Sequence, residues 1–496
     1  MRQSIINFDI EASFQNWVNN NLPHIQTVFL AFVINLFIYG QKIFSGGLAA
    51  DDIARFFHSG GEQASWLGRW FGGFLNLYVF TGPLHILPYA NGLLGVFCYT
   101  LAGYLTALLF FTEKRFPAVI VTLLCSATPF VVHNLFFNTN SGVSLGILFG
   151  VWGILLAYKS RVIPKVLGFV LLVLSISTYQ TIIQVALAII LFRTALTLKD
   201  ASSSDSNRQA IVEGLKLYAF VALAFIVSNI INLGFTSVAE IATTGRYEDS
   251  LTIQSVKTYG TRLVGMFSVH AQLRYFSVPY VWSIKIFALL GFSALFLMLG
   301  LHKFRNLFSL KGLFFGSAII LCPIIINLPQ LLGQVVQTRA HYTVGWMTAG
   351  LFVILYLYQR WFKNLGITLA SVLIIICTLY INIFLYAGTR QTDMDIMRAN
   401  QIVSAIRQHE DYPGEADPLK FSMIGTKELS VLGWRFHDQT AFATDWSNTD
   451  IFEAFTDLNF DYLSDAEYVQ IEKKLVEIGE PIHPFPARSS FFFHGD

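Results

Sequence analysis

The chain has 496 residues, 54% of them hydrophobic and only 13% charged. A soluble domain carries about 25% charged residues, so most of this chain must face lipid or its own apolar interior. A net charge of +2 carries no electrostatic footprint for nucleic acid. Cys98, Cys125, Cys322 and Cys377 all fall inside apolar runs, which excludes a disulfide framework or a Cys-based metal site as the organising feature.

The first 23 residues are polar and lack a basic region followed by a small-residue cleavage site, so no removed signal peptide is expected. Apolar runs able to cross about 30 Å of hydrocarbon follow near 24–44, 89–111, 116–134, 141–158, 163–178, 180–197, 211–233, 281–301, 311–328, 342–358 and 364–387. Ser177-Thr178-Tyr179-Gln180 leaves almost no loop between the fifth and sixth runs. Reading them as one span would flip every later loop.

Orientation follows from Lys and Arg in the short connections. With the N-terminus inside, the cytoplasmic connections hold Lys114 and Arg115; Lys159, Arg161 and Lys165; Arg193, Lys199 and Arg208; Lys303, Arg305 and Lys311; then Arg360 and Lys363. The opposite loops at 135–140 and 329–338 hold no Lys or Arg. The bias predicts a cytoplasmic N-terminus and an outside C-terminus.

Two outside segments are longer than turns. Residues 45–88 carry Ile53, Phe56, Phe57, Trp66, Trp70 and Phe74 at helix-like intervals, the pattern of helices lying in the membrane interface. Residues 234–280 form a second long loop, of a length that usually serves function. From 388 to 496 the composition turns acidic, with 19 Asp and Glu against 9 Lys and Arg. Helical patterns near 392–409 and 464–479 and strand patterns at 421–424 and 491–493 predict a small α/β domain outside the membrane. The expected fold class is therefore an all-α polytopic membrane protein of about eleven transmembrane helices, with interface helices and that α/β domain; its parts are 1–387 and 388–496.

Only 12 of the 31 acidic residues precede residue 388. Among them, Asp51 and Asp52 alone are adjacent and anchored to the outer end of a span. A hydroxyl attacking an activated carbon needs a carboxylate to take its proton, and the leaving group needs positive charge. Asp51 and Asp52 suit the first role. The same pair also suits a helix N-terminus, with Asp51 as N-cap and Asp52 in the favourable dipole position. Positive partners are Arg55, Arg69, Arg246, Arg262 and Arg339, the last followed closely by His341 at the outer mouth of the tenth run. A guanidinium there grips a phosphate bidentately and the imidazole adds a donor; an Arg in that place also anchors spans at headgroups. His133, Tyr179 and Gln180 at outer span ends, with Glu240 in the long loop, either line a pocket for sugar hydroxyls or satisfy helix termini. No His/Cys grouping or Gly-rich phosphate loop points to a metal or nucleotide, and Asp51-Asp52 alone is a weak signal for a divalent cation.

Leu48-Ala49-Ala50-Asp51-Asp52-Ile53-Ala54-Arg55, followed by Gly68-Arg69-Trp70, resembles the type II glucosyl transferase family. Within the GT-C class of membrane glycosyltransferases, that family includes phage-borne O-antigen glucosyltransferases that cause serotype conversion. The resemblance is strongest over about residues 25–110, looser to about 390, and leaves the tail unmatched. It implies a polyprenyl-phosphate sugar donor, undecaprenyl phosphate glucose, and an O-antigen or lipid-linked glycan acceptor of lipopolysaccharide type, met at the periplasmic face of the bacterial inner membrane. By position, Asp51 or Asp52 would be the acceptor-activating base and Arg69 would belong to the same motif. The phosphate roles of Arg339, His341, Arg246 and Arg262, and the substrate role of Arg55, rest on charge and location. An already activated donor needs no nucleotide or nicotinamide cofactor. Direct displacement with inversion is the simplest course, because no second nucleophilic carboxylate is evident.

Two other function classes compete. A flippase of lipid-linked sugars shares the spans and the lipid substrate, but needs ionisable groups near mid-membrane, which the apolar runs almost lack. A scaffold recruiting partners through its acidic tail makes no use of Asp51-Asp52.

Overall fold

The computed structural model describes residues 10–45, 69–79, 88–110, 114–136, 141–201, 203–238, 291, 343–357 and 360–408, with short strands at 419–421, 430–431, 434–435 and 460–462. It is almost entirely helical. Within these residues the helices are α1 (Ile10–Ser45), α2 (Trp70–Phe74), α3 (Pro88–Leu109), α4 (Arg115–Ser126), α5 (Pro129–Phe136), α6 (Ser141–Ala157), α7 (Val162–Thr178), α8 (Ile183–Asp200), α9 (Ser204–Val238), α10 (Thr343–Tyr356) and α11 (Arg360–Arg407). A π-helical turn, Leu75–Val79, continues α2, and a 3₁₀ turn, Gln180–Ile182, precedes α8.

Every expected span falls on these helices, that at 116–134 on two of them, except 281–301 and 311–328, which lie outside the described residues apart from helical Gly291. Among the described residues, five helices are long and apolar enough to cross a membrane, or up to six if the bent pair α4–α5 is one span; α6, α7 and α10 are shorter apolar helices. Exposed apolar stripes corroborate lipid contact: Phe29, Leu30, Phe37 and Phe44 on α1, Leu223, Ile226, Ile230 and Leu233 on α9, and Ile375, Leu379 and Ile383 on α11. Apolar surface of this extent is what a membrane covers. By contrast α3 and α8 are mostly buried and run through the centre.

Two expectations need revision. The span at 116–134 is not one helix: α4 and α5 meet at a 56° bend. Pro129 is the cause, since it lacks an amide donor and bars helical backbone at the preceding residue. Tyr39 compensates by donating its hydroxyl to Ser126 O at 2.6 Å, and Asn35 Nδ2 donates to Ser126 Oγ and Thr100 Oγ1. Inside the bend packs Gly345 of α10, where an added Cβ would lie 2.7 Å from Leu124 O. The helix expected near 392–409 is likewise not separate. It is the second half of α11, whose 48 residues at about 1.5 Å each span about 72 Å, more than twice a hydrocarbon core of about 30 Å.

The remaining helices approach closely where side chains are small, as lipid-embedded helices do. Gly153 of α6 and Gly168 of α7 face each other across their hairpin, each with the other's carbonyl within 2.8 Å of where a Cβ would sit. Trp346 of α10, fully buried, donates Nε1 to Thr106 Oγ1 of α3 at 2.9 Å. In the tail, Leu419–Phe421 pairs in parallel with Phe460–Tyr462, and Ser430–Val431 pairs antiparallel with Trp434–Arg435. Of the strand expected at 421–424, Phe421 ends the strand Leu419–Phe421 and the rest lies outside the described residues. The other tail elements, near 464–479 and 491–493, lie outside the described residues.

Candidate functional site

The bundle has two chemically different ends. At one, the C-termini of α3, α6, α8 and α10 meet the N-terminus of α11. There Arg193 Nη1 donates to Leu109 O at 2.6 Å and Lys199 Nζ to Leu357 O at 3.1 Å. Arg193 also lies over the Tyr158 ring and Lys363 over Tyr356. Lys and Arg at helix C-termini satisfy orphan carbonyls and the helix dipole. Among the described residues, Arg193, Lys199 and Lys363, three of the cations expected on one side of the membrane, are thereby gathered at one end of the bundle.

At the far end, the C-termini of α1, α5 and α7 meet the N-termini of α6, α8 and α10. Lys42 near the end of α1 is 2% exposed, donates Nζ to Phe136 O at 2.8 Å, and lies over the Phe136 ring. Gly388 of α11 presses on that same ring. Thr343, the first residue of α10, donates Oγ1 to Gln184 Oε1 at 3.1 Å.

Arg69 lies at this end. It immediately precedes α2, and its guanidinium carbon is 4.2 Å from the centroid of the Tyr179 ring. The α2 backbone sits against the end of α7, where a Cβ on Gly72 would come within 2.9 Å of Thr178 O. Leu75 in the π-helical turn packs on the start of α6 at Gly142. Tyr179 is 5% exposed and stands in extended conformation between α7 and the 3₁₀ turn, with Gln180 next to it. Among the described residues, Arg69 Nε and Trp70 Nε1 are buried here without a hydrogen-bond partner. Gln184 Nε2, one turn below Gln180, is a third.

Two singled-out residues, Arg69 and Tyr179, are thus in direct contact, and Gln180 is adjacent. His133 is elsewhere at the same end, between α5 and α11, with Nε2 3.4 Å from Tyr380 Oη and its ring against Phe384. Asp51, Asp52, Arg55, Glu240, Arg246, Arg262, Arg339 and His341 lie outside the described residues.

Sequence reasoning missed Lys42, because a Lys at a span end reads as a headgroup anchor; the structure turns it inward. It also missed Gln391 and Asp395 on the second half of α11. Both are buried, and Gln391 Nε2 donates to Asp395 Oδ1 at 2.9 Å. An (i, i+4) polar pair was the available signal.

The profile of the family described as Glucosyl transferase GtrII matches residues 42–356, well over half of the chain. The chain belongs to the GtrII glucosyl transferase family. The matched stretch runs from Lys42 through Asp51-Asp52, Arg69 and Tyr179 to the end of α10. Comparison with curated proteins and with solved structures gives no match. Membership makes the chain a glycosyltransferase of the glucosyl-transferring kind, and its apolar helices make it a membrane protein.

Proposed function

We propose that this glucosyltransferase moves glucose, with inversion, from undecaprenyl phosphate glucose to an O-antigen or related surface glycan at the periplasmic face of the inner membrane. In this reading the N-terminus is cytoplasmic, the far end of the bundle faces the periplasm, and residues 388–496 form a small periplasmic α/β domain. The observation that carries it is the contact of Arg69 with Tyr179 within the family-matched stretch, at the end of the bundle opposite the gathered cations.

The chemistry asks for two charges of opposite sign. Asp51 or Asp52 takes the proton of the acceptor hydroxyl as its oxygen bonds to the anomeric carbon. The bond from that carbon to the phosphate oxygen breaks at the same time, and the polyprenyl phosphate leaves with the electron pair. Arg69 faces the developing phosphate charge, aided by Arg339, His341, Arg246 and Arg262. His341 is two residues before Thr343, whose bond to Gln184 ties the start of α10 to the helix carrying Gln180's turn. Arg55, His133, Gln180 and Glu240 would line the sugar and acceptor.

The test is transfer of labelled glucose from synthetic undecaprenyl phosphate glucose to isolated O-antigen, wild type beside Asp51→Asn and Asp52→Asn. Loss of about 10²–10⁴-fold in one folded variant identifies the base. No transfer by the wild type with this or other polyprenyl-phosphate sugars would refute the reading.

A further inference from the structure

We infer that Tyr179 is a positioning residue: its ring holds the Arg69 guanidinium in place for the phosphate of a polyprenyl-phosphate ligand. The inference rests on the function proposed above and assigns Tyr179 a role other than touching sugar hydroxyls.

The backbone around Tyr179 is built to present one side chain. Helix α7 stops at Thr178 and the 3₁₀ turn begins at Gln180, so Tyr179 alone is extended, with φ −158° and ψ 111°. It is pinned on both sides: its N–H donates to Ser175 O and its carbonyl accepts from Ile182 N–H at 3.0 Å. An extended residue between two helical turns directs its side chain away from the path a continuous helix would give it. That side chain is 5% exposed, so it is walled in rather than free to follow a ligand.

Arg69 is held by the ring and by its own backbone. The guanidinium carbon lies 4.2 Å from the ring centroid, within the range where the ring quadrupole attracts a cation. Arg69 O accepts the Gly73 N–H at 2.8 Å, and the close fit of Gly72 on Thr178 O fixes the segment from below. Among the described residues Nε is buried without a hydrogen-bond partner, although a donor left unmade costs free energy. A guanidinium stacked on an aromatic face retains its in-plane donors for a bidentate anion. Pre-setting that plane reduces the ordering entropy lost on binding.

The experiment measures undecaprenyl phosphate binding and donor KM and kcat in detergent for wild type, Tyr179→Phe, Tyr179→Leu, Arg69→Ala and the double variant Arg69→Ala/Tyr179→Leu. Elution profile and thermal midpoint monitor folding, and Tyr179→Met replaces Tyr179→Leu if the latter does not fold. Tyr179→Leu should weaken undecaprenyl phosphate binding and raise donor KM about tenfold, while Tyr179→Phe stays within about twofold. In the Arg69→Ala background the Leu substitution should add nothing, since the ring acts through the guanidinium. Wild-type binding by Tyr179→Leu, additive losses in the double variant, or no binding by the wild type would each overturn the inference. Binding with this coupling but without glucose transfer would leave the positioning role standing and refute only the proposed reaction.

Discussion

The two ends of the bundle use similar residues to opposite effect. At the basic end the cations are engaged: Arg193 and Lys199 donate to helix-terminal carbonyls, and Arg193 and Lys363 lie over tyrosines. At the far end donors are left over: among the described residues, Arg69 Nε, Trp70 Nε1 and Gln184 Nε2 are buried without partners, with Gln391 Oε1 as a leftover acceptor on α11. Asn207 Oδ1, near the start of α9, is such an atom at the basic end, and Asn35 Oδ1, Tyr99 Oη and Ser175 Oγ are others within the bundle. A buried polar group without a partner costs roughly 1–3 kcal/mol, so a protein keeps several together only where something else depends on them. On the proposed function, one end is finished as structure, and the other, where Lys42 is engaged as the basic-end cations are, keeps Arg69 and its neighbours for a ligand.

The comparison breaks most visibly through paired arginine substitutions. Arg69→Ala should lower kcat/KM for the donor by about 10²-fold or more, because a charged, bidentate contact to the leaving phosphate is lost, with little change in thermal midpoint. Arg193→Leu should do the reverse: leaving Leu109 O unpaired costs about 1–3 kcal/mol of stability, while the folded fraction keeps its kcat/KM. If Arg193→Leu impaired catalysis in folded protein as much as Arg69→Ala, the distinction between the ends would be lost.

A somewhat smaller effect is expected at Gly72. A side chain there meets the Thr178 backbone carbonyl at 2.9 Å, and backbone cannot swing aside as a side chain does. Gly72→Val should therefore push α2 off α7 and separate Arg69 from Tyr179. Overpacking of this kind costs about 1–3 kcal/mol. The measurement is donor KM beside thermal midpoint: KM should rise about as far as in Tyr179→Leu, and an unchanged KM would mean α2 does not set Arg69.

Much of the fold was legible because hydropathy reports what lipid demands. The apolar runs from 24–44 to 211–233, and at 342–358 and 364–387, correspond to helices. The short link at Tyr179 was visible in the polar cluster Ser177-Thr178-Tyr179-Gln180. The α4–α5 bend was not, since hydropathy averages over Pro129 without registering its missing donor. The continuity of α11 was hidden for the opposite reason. Composition changes at residue 388, but no proline falls between Pro329 and Pro413 to stop a helix. In the site, charge and position marked Arg69 and a polar break marked Tyr179. Their contact was invisible, because no local periodicity links residues so far apart in the chain. Lys42 shows the limit from the other side: nothing in the sequence singled it out, and the carbonyl it meets, Phe136 O, belongs to a helix end that exists only because Pro129 restarts the chain.

The subtlest prediction concerns Trp70. Its indole Nε1 is buried and unpartnered beside Arg69, and its ring meets Phe71 edge-on at 5.7 Å between centroids. Trp70→Phe keeps most of the apolar contact and removes the leftover donor. If that donor has no ligand, the substitution should leave stability unchanged or slightly higher, with no kinetic effect, because an unmade hydrogen bond has been relieved. If it reaches a phosphate or sugar oxygen, donor KM should rise about three- to tenfold with stability unchanged, the size expected for one hydrogen bond of about 0.5–1.5 kcal/mol. The ligand-bearing far end requires the second outcome. The first would confine the prepared surface to the guanidinium of Arg69 and reassign Trp70 to packing of α2 alone.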